Sequence, residues 1–92
     1  MSQRRSRFEL YIDILDAIYR GYRKPTKIMH EACMSWVPLC GVLDNLVEQE
    51  LITYIPNDLK DKRTKAVYEI TKKGLNVLDY YQRALELVNE MV

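Results

Sequence analysis

The chain has few of the features that mark membrane, secreted or disulfide-rich proteins. Its 92 residues include no apolar run long enough to cross a bilayer, and no apolar core follows the basic segment MSQRRSRFEL. We therefore expect neither membrane insertion nor secretion. The two cysteines then suggest reduced thiols in a cytosol. What is present, 48% hydrophobic and 29% charged residues, fits one small soluble domain.

Residues that could perform catalysis or bind metal are also scarce. His30, Cys33 and Cys40 do not have the Cys-x-x-Cys spacing of common zinc sites, and no fourth ligand is evident. We expect both cysteines to be buried as small apolar side chains. The single histidine has no clear nucleophilic partner, and the three glycines form no phosphate-binding loop. The sequence predicts no enzyme, no metal site and no cofactor.

Charge is present but unevenly distributed. The formal net charge is only +1, yet residues 1–30 contain seven basic and three acidic side chains. Residues 31–58 contain five acidic side chains and no basic one, whereas residues 59–73 contain six basic and two acidic ones. Two basic segments thus flank an acidic middle, so the local field says more about partners than the net charge does.

Apolar spacing predicts three helices in the first half of the chain. The first runs from Phe8 to Tyr19 before Gly21, and the second from Pro25 to about Ala32. The third runs from the predicted N-cap Ser35 to about Glu50. The positions expected to face the core are Phe8, Tyr11 or Ile12, Leu15, Ile18 or Tyr19, Ile28, Met29, Leu39, Val42 or Leu43, and Leu46. The second and third helices, joined by a short turn, form a helix-turn-helix whose later helix can enter a DNA major groove.

A β-hairpin and a long helix are predicted next. Residues Ile52–Ile55 and Ala66–Ile70 are rich in β-branched and aromatic side chains, and the polar segment PNDLKDKRTK separates them. Thr71 is expected to cap a final helix of about 21 residues. The predicted fold is α+β: a winged-helix domain over residues 1–71 with a basic N-terminal arm, followed by a C-terminal helix over residues 72–92.

The final helix has more apolar positions than one contact requires. They form two adjacent stripes: Leu78, Tyr81, Leu85, Val88 and Val92, and Val77, Tyr80, Ala84, Leu87 and Met91. We expect one stripe to pack on the domain and the other on the same helix of a second chain. The expected dimer contacts are Val77, Tyr80, Tyr81, Ala84, Leu87, Val88 and Met91. The alternative is one wide stripe wrapped on its own domain.

The candidate DNA contacts are mostly cations. They are Arg4, Arg5, Lys24, Lys27, Lys60, Lys62, Arg63 and Lys65, with the polar or aromatic residues Ser35, Trp36 and Asn45. An ordinary solvated loop and a frayed terminus are the alternatives for the hairpin tip and the arm. For Trp36, packing beside the helix pair is favoured over stacking on DNA. Lys72 and Lys73 oppose the dipole of the final helix, which weakly favours an anionic partner. Gly41, inside the third helix, is a candidate for close backbone approach.

Several segments together resemble a known family. The runs RSRFELYIDILDAI, KPTKIMHEACMSW, LDNLVEQELI and YEITKKGLNVLDYY are similar to small archaeal winged-helix DNA-binding proteins of the ten-kilodalton chromatin type and to related archaeal regulators. The resemblance implies binding to double-stranded DNA and a homodimer joined through the C-terminal helix. The chain departs from the family at Glu50, where glycine is usual. It also departs in the third helix, where Val37, Pro38, Cys40 and Asp44 are poor base readers.

Two functions of different classes follow. The leading one is a DNA-binding protein, a transcription regulator or a chromatin protein, that clamps duplex phosphates with its wing and arm. The alternative is a winged-helix protein-interaction module that does not bind DNA, suggested by the apolar and acidic third helix. RNA binding through the same wing is a third reading.

Overall fold

A computed structural model describes residues 6–56 and 66–90, and within these ranges it has four helices and one two-stranded antiparallel sheet. The elements are α1 (Arg7–Tyr19), α2 (Pro25–Ala32), α3 (Trp36–Glu48), β1 (Ile52–Pro56), β2 (Ala66–Ile70) and α4 (Lys72–Glu90). This order confirms the predicted α+β winged helix. Among the described helices, none combines the length and apolar character that a bilayer span needs.

The start of α1 is fixed by a capping box. The Ser6 hydroxyl accepts from the Glu9 backbone N–H at 3.1 Å, and the Ser6 N–H donates to Glu9 Oε1 at 3.2 Å. These two bonds satisfy donors that a helix start would otherwise leave open. The predicted start at Phe8 is one residue late, because apolar periodicity begins at Phe8 whereas the capping box between Ser6 and Glu9 sets the start of the helix.

Each of the first three helices is followed by a residue with a left-handed backbone conformation. Gly21, Cys33 and Glu50 have φ of 107°, 54° and 62°. The residue after each one donates back across the last turn, in the pattern of a Schellman motif. These bonds are Tyr22 N–H to Ala17 O at 3.0 Å, Met34 N–H to Met29 O at 3.1 Å and Leu51 N–H to Leu46 O at 2.9 Å. Only the first uses glycine, so Cys33 and Glu50 adopt a backbone conformation that disfavours a side chain.

The core lies where α1 packs against the other helices and β2. Its largest fully buried side chains are Ile14, Leu15, Ile28, Leu39, Leu43, Leu46 and Ile52. The predicted inward face of α3 is confirmed, since Val42 is buried as well. In α1, where the sequence left two alternatives at each of two positions, Ile12 and Ile18 are the buried residues, and Tyr19 is exposed. Phe8 was predicted to face the core but is 56% exposed; it lies in the first turn of α1, where its ring packs against Tyr81 of α4.

The hairpin is tied to the rest of the domain through β2. Tyr54 pairs with Tyr68 and Pro56 with Ala66 across the sheet. The Tyr68 N–H also donates to the Arg23 carbonyl at 3.0 Å, so the α1–α2 connection lies along the second edge of β2. The two strands therefore have fixed positions relative to α2 and α3.

Thr71 and Gly74 join α4 to the end of α3. The Thr71 hydroxyl accepts from the Gly74 N–H at 3.0 Å, which confirms the predicted cap, and lies 2.7 Å from the Glu50 carbonyl oxygen, to which it donates. A Cβ on Gly74 would overlap the Leu51 carbonyl oxygen and come within 2.7 Å of Ile70 Cγ1. Glycine is therefore required here by close backbone approach.

Lys73 was expected to favour an anionic partner and Gly41 to allow close backbone approach, and the structure supports neither role. The Lys73 ammonium donates to the Gln49 carbonyl at 2.9 Å, at the carboxyl end of α3. Its charge therefore stabilises the negative end of a neighbouring helix, so it gives no support for an anionic partner. A Cβ on Gly41 would meet nothing within 4 Å, so no backbone approaches this glycine closely in the described residues.

The apolar positions of α4 divide along the helix. Leu78 is 5% exposed, Val77 and Tyr81 pack partly on the core, and the Tyr81 and Phe8 rings lie 5.6 Å apart. Beyond Tyr81 every residue to position 89 is exposed. Both predicted stripes are thus partly covered in the first half of the helix and exposed from position 82 to position 89.

Candidate nucleic-acid interface

α3 is anchored by one face and presents the opposite face to solvent. At 100° per residue, the outward positions are Val37, Gly41, Asp44 and Glu48, all exposed, with Val37 at 79%. The helix contains no lysine or arginine. Its outer face therefore has two carboxylates and one apolar side chain. A carboxylate accepts from the cytosine amino group, but this face lacks the arginine, lysine, asparagine or glutamine that most often read guanine and adenine.

Ser35 occupies the N-cap of α3, but its side chain makes no cap hydrogen bond. An N-cap hydroxyl accepts from the backbone N–H two or three residues later, and the third residue here is Pro38, which has no N–H. The predicted hydroxyl cap is therefore wrong, although the predicted helix start is right. The exposed Ser35 side chain lies at the amino end of the candidate recognition helix.

Asn45 faces α1, at the edge of the outer face. Its Nδ2 donates to the Tyr11 hydroxyl at 2.7 Å, which ties α3 to α1. This bond uses one of the two donors of the amide and leaves its oxygen for other partners. Asn45 is therefore a structural link between helices as well as a predicted DNA contact.

Lys24 and Lys27 lie together at the amino end of α2. Both are exposed, and both line a shallow depression between the α1–α2 connection and β2. The arginines near them are committed to ion pairs within the chain: Arg23 pairs with Glu69, and Arg20 pairs with Asp16 at 2.9 Å and Glu31 at 2.8 Å. The fold places both lysines beside the helix-turn-helix, and Arg7, at the start of α1, lines a depression with Pro38 and Gly41 of α3.

The remaining predicted contacts belong to the N-terminal arm, the hairpin tip and the C-terminal segment. Arg4 and Arg5 in the arm, the hairpin-tip cations Lys60, Lys62, Arg63 and Lys65, and the predicted dimer contact Met91 lie outside the described residues. The ends of the strands that flank the tip are described. Ala66, the first residue of β2, lines the same cavity as Lys24 and Trp36.

That cavity is the feature that the sequence analysis missed. It has a volume of about 360 Å³ and lies between the start of α2, one side of α3 and the sheet. Trp36, Tyr54 and Tyr68 contribute aromatic rings, and the two tyrosine rings meet edge to face with centroids 5.7 Å apart. Burial, and then the negative charge of Asp44, raise the pKa of Tyr68. The i, i+4 spacing of positions 36, 40 and 44 was the available signal.

The burial predictions for Trp36 and for the two cysteines are wrong. Trp36 was expected to pack beside the helix pair, but it is 48% exposed and its indole forms part of the cavity wall. Both cysteines were expected to be buried, but Cys33 is exposed and Cys40 is half-buried in the cavity lining. Cys33 is exposed because the left-handed turn after α2 lies at the surface. In residues 6–56 and 66–90, no three His, Cys, Asp or Glu side chains cluster as a metal site would require.

The fold and the exposed third helix define a winged-helix domain. The sequence profile of the winged helix-turn-helix family matches residues 4–89, and the chain belongs to this family. No curated protein sequence is significantly similar to it.

Solved structures share the fold. A variant of MepR from S. aureus superimposes with a TM-score of 0.79 at 14% identity, over 89% of this chain and 61% of that one. BldR, a transcriptional regulator from Sulfolobus solfataricus, gives 0.75 at 30% identity, over 89% and 58%. Sso10a-2, a DNA-binding protein from the same organism, gives 0.76 at 20% identity, over 95% and 85%. The chain thus spans about three-fifths of the MepR and BldR chains.

Proposed function

We propose that this protein binds double-stranded DNA as a homodimer and acts as a transcription regulator or chromatin-associated protein of the archaeal kind that its sequence resembles, in the cytoplasm on the nucleoid. The observation that carries the proposal is the helix-turn-helix of a winged-helix family member, with α3 exposed and two lysines at the start of α2 beside it. The structural likeness to BldR, described as a transcriptional regulator, and to Sso10a-2, described as DNA-binding, supports it.

In this proposal phosphate contacts supply most of the affinity. The outer face of α3 has no cation and two carboxylates, so it enters a major groove without strong hydrogen bonds to bases. Lys24, Lys27, the arm and the hairpin tip neutralise phosphates on both sides of the groove. With six to ten such contacts, affinity falls on the order of a thousandfold or more between 50 and 200 mM salt. Discrimination between DNA sequences is correspondingly weak.

The proposed dimer contact is the exposed apolar surface of α4 from Tyr80 onward. Tyr80, Leu87 and Val88 are 70%, 61% and 57% exposed, and Ala84 is exposed beside them. A row of exposed apolar side chains on one helix is typical of a surface that another chain covers. We therefore assign residues 1–71 to DNA binding and residues 72–92 to dimerisation. Val77 and Tyr81, half-buried on their own core, contribute the edge of that contact.

A gel-shift assay with mixed-sequence duplex DNA at two salt concentrations tests the proposal. The double variant Lys62→Glu/Arg63→Glu is expected to lose at least tenfold in affinity, because it replaces two phosphate-binding cations by repelling carboxylates. Gln82→Glu/Arg83→Glu lowers the net charge by three at exposed positions of α4 and should bind nearly as the wild type does, provided that its sedimentation is unchanged. Binding that neither salt nor the hairpin variant weakens would contradict the phosphate clamp.

The outer face of α3 also favours a second candidate, a protein-interaction module. Val37 is 79% exposed and the helix has no cation, so this surface suits an apolar partner. Val37→Arg separates the candidates. If α3 enters a groove, the added cation strengthens DNA binding, whereas a protein-docking surface loses its apolar centre. Duplex RNA in the same gel-shift assay tests the RNA reading.

A further inference from the structure

The cavity between α2, α3 and the sheet has the composition of a binding site for a flat ring. Trp36 and Tyr54, on α3 and β1, are each about half exposed, at 48% and 49%, while Tyr68 is 8% exposed. Two accessible rings and one buried ring thus surround a space of about 360 Å³. This volume lies at the lower end of the range found for small-molecule pockets, about 300–1,000 Å³. Aromatic walls of this kind stack on planar ligands.

The charged residues of the cavity narrow the class of ligand. Asp44, on α3, lines the cavity together with Tyr68. Burial, and then the negative charge of Asp44, raise the pKa of the Tyr68 phenol. Lys24, on the α2 wall, supplies a cation. An organic cation would match the rings and Asp44 but would be repelled by Lys24. A ligand that presents N–H donors on a flat ring and a phosphate at one end matches all three features.

We propose that this cavity binds a nucleobase of guanine type, stacked on Trp36 and Tyr54, with its ring N–H and amino group donating to Asp44 and its phosphate directed to Lys24. A carboxylate accepts two parallel hydrogen bonds, and guanine has two adjacent donors on its Watson–Crick edge. Base pairing occupies that edge in a duplex, so the base must be unpaired. The source is either a free nucleotide or an unpaired residue of a strand. This site shares Lys24 with the proposed duplex contact, but recognition of an unpaired base through Asp44 does not require α3 to enter a groove.

The protein contains its own reporter, because Trp36 is the only tryptophan of the chain. Fluorescence titration of the full chain with GMP is expected to give saturable quenching. Inosine monophosphate, which lacks the amino group, should bind more weakly because one hydrogen bond to Asp44 is missing. A ten-residue oligothymidine with one central guanosine, compared with oligothymidine alone, tests a strand as the source. Quenching by GMP alone assigns the cavity to free nucleotides, and quenching by the guanosine strand alone assigns it to unpaired strands.

Matched variants connect the signal to the proposed contacts. Asp44→Asn is expected to weaken GMP binding at least tenfold, because the amide cannot accept both hydrogen bonds. Glu48→Gln removes the same charge one turn later on the exposed face of α3 and should leave the affinity unchanged. Tyr54→Ala should weaken binding of both GMP and inosine monophosphate, since it removes a stacking surface. Thermal melts establish that each variant is folded.

Several results would overturn the assignment. They are the absence of saturable quenching by GMP and by the guanosine strand, equal affinity of wild type and Asp44→Asn, and tighter binding of benzyltrimethylammonium than of GMP, which would make the cavity a cation site. The duplex gel-shift assay scores the proposed function separately, so either proposal can fail while the other holds.

Discussion

The two halves of α4 have the same apolar periodicity and opposite surroundings. The first half begins at the Thr71 cap, touches the Leu51 backbone at Gly74 and buries Leu78 to 5% exposure. In the second half every side chain from position 82 to position 89 is exposed. Periodicity therefore shows which residues share a face of a helix. It does not show whether the chain itself supplies the surface that covers them.

The first half also shows how the domain supports α3. Thr71 and Lys73 bond to carbonyls at the end of α3, at Glu50 and Gln49. The start of α4 thus caps α3, and the position of the candidate recognition helix depends on this junction. The second half makes no such contacts in the described residues, so changes there should leave the domain folded.

The largest expected effect is the loss of stability caused by Gly74→Ala, which disrupts the packing of the first half of α4. The new Cβ would overlap the Leu51 carbonyl oxygen, and backbone cannot move aside as a flexible side chain does. We expect a loss of about 3 kcal/mol in the free energy of unfolding, measured by urea denaturation. Gly41→Ala is the control, because its Cβ meets nothing within 4 Å and should gain up to about 1 kcal/mol. Equal effects of the two substitutions would show that the close approach at Gly74 does not matter.

The next effect concerns the second half. Leu87→Glu places a charge on the exposed apolar surface and is expected to weaken the proposed dimer at least tenfold, about 1.4 kcal/mol. Sedimentation should then shift toward the 10.9 kDa monomer, while helix content is retained because Leu87 is 61% exposed. Asn76→Glu adds the same charge to an exposed position in the first half and should not change the mass. A wild type that stays at the monomer mass at every concentration would refute the dimer.

The smallest expected effect is a gain in folding stability at the junction between α3 and α4. Glu50 has φ of 62°, where an L side chain costs roughly 1–2 kcal/mol. Glu50→Gly removes this strain, and after the greater entropy of the unfolded glycine we expect a net gain of about 1 kcal/mol in thermal or urea denaturation. Gly21→Ala should lose a similar amount, because Gly21 has φ of 107°. If Glu50→Gly destabilises the protein, its side chain has a role that the backbone strain does not show.

Much of the fold could be predicted from local chemistry. The strand Ala66–Ile70, the proline start of α2 and the Thr71 cap are confirmed as predicted, because each depends on residues within a few positions of one another. The candidate site was less predictable. Trp36 and Tyr54 are 18 residues apart, and only the packing of α3 beside the hairpin brings both to one cavity.

The sequence alone determined the order of elements, the buried face of α3 and the absence of lysine and arginine from that helix, because periodicity, caps and charge depend on local sequence. The tertiary structure decided which apolar residues of α4 the chain covers, why position 74 must be glycine and that three aromatic rings and Asp44 share one cavity. Each of these depends on distances between segments far apart in the chain, which local preferences do not specify.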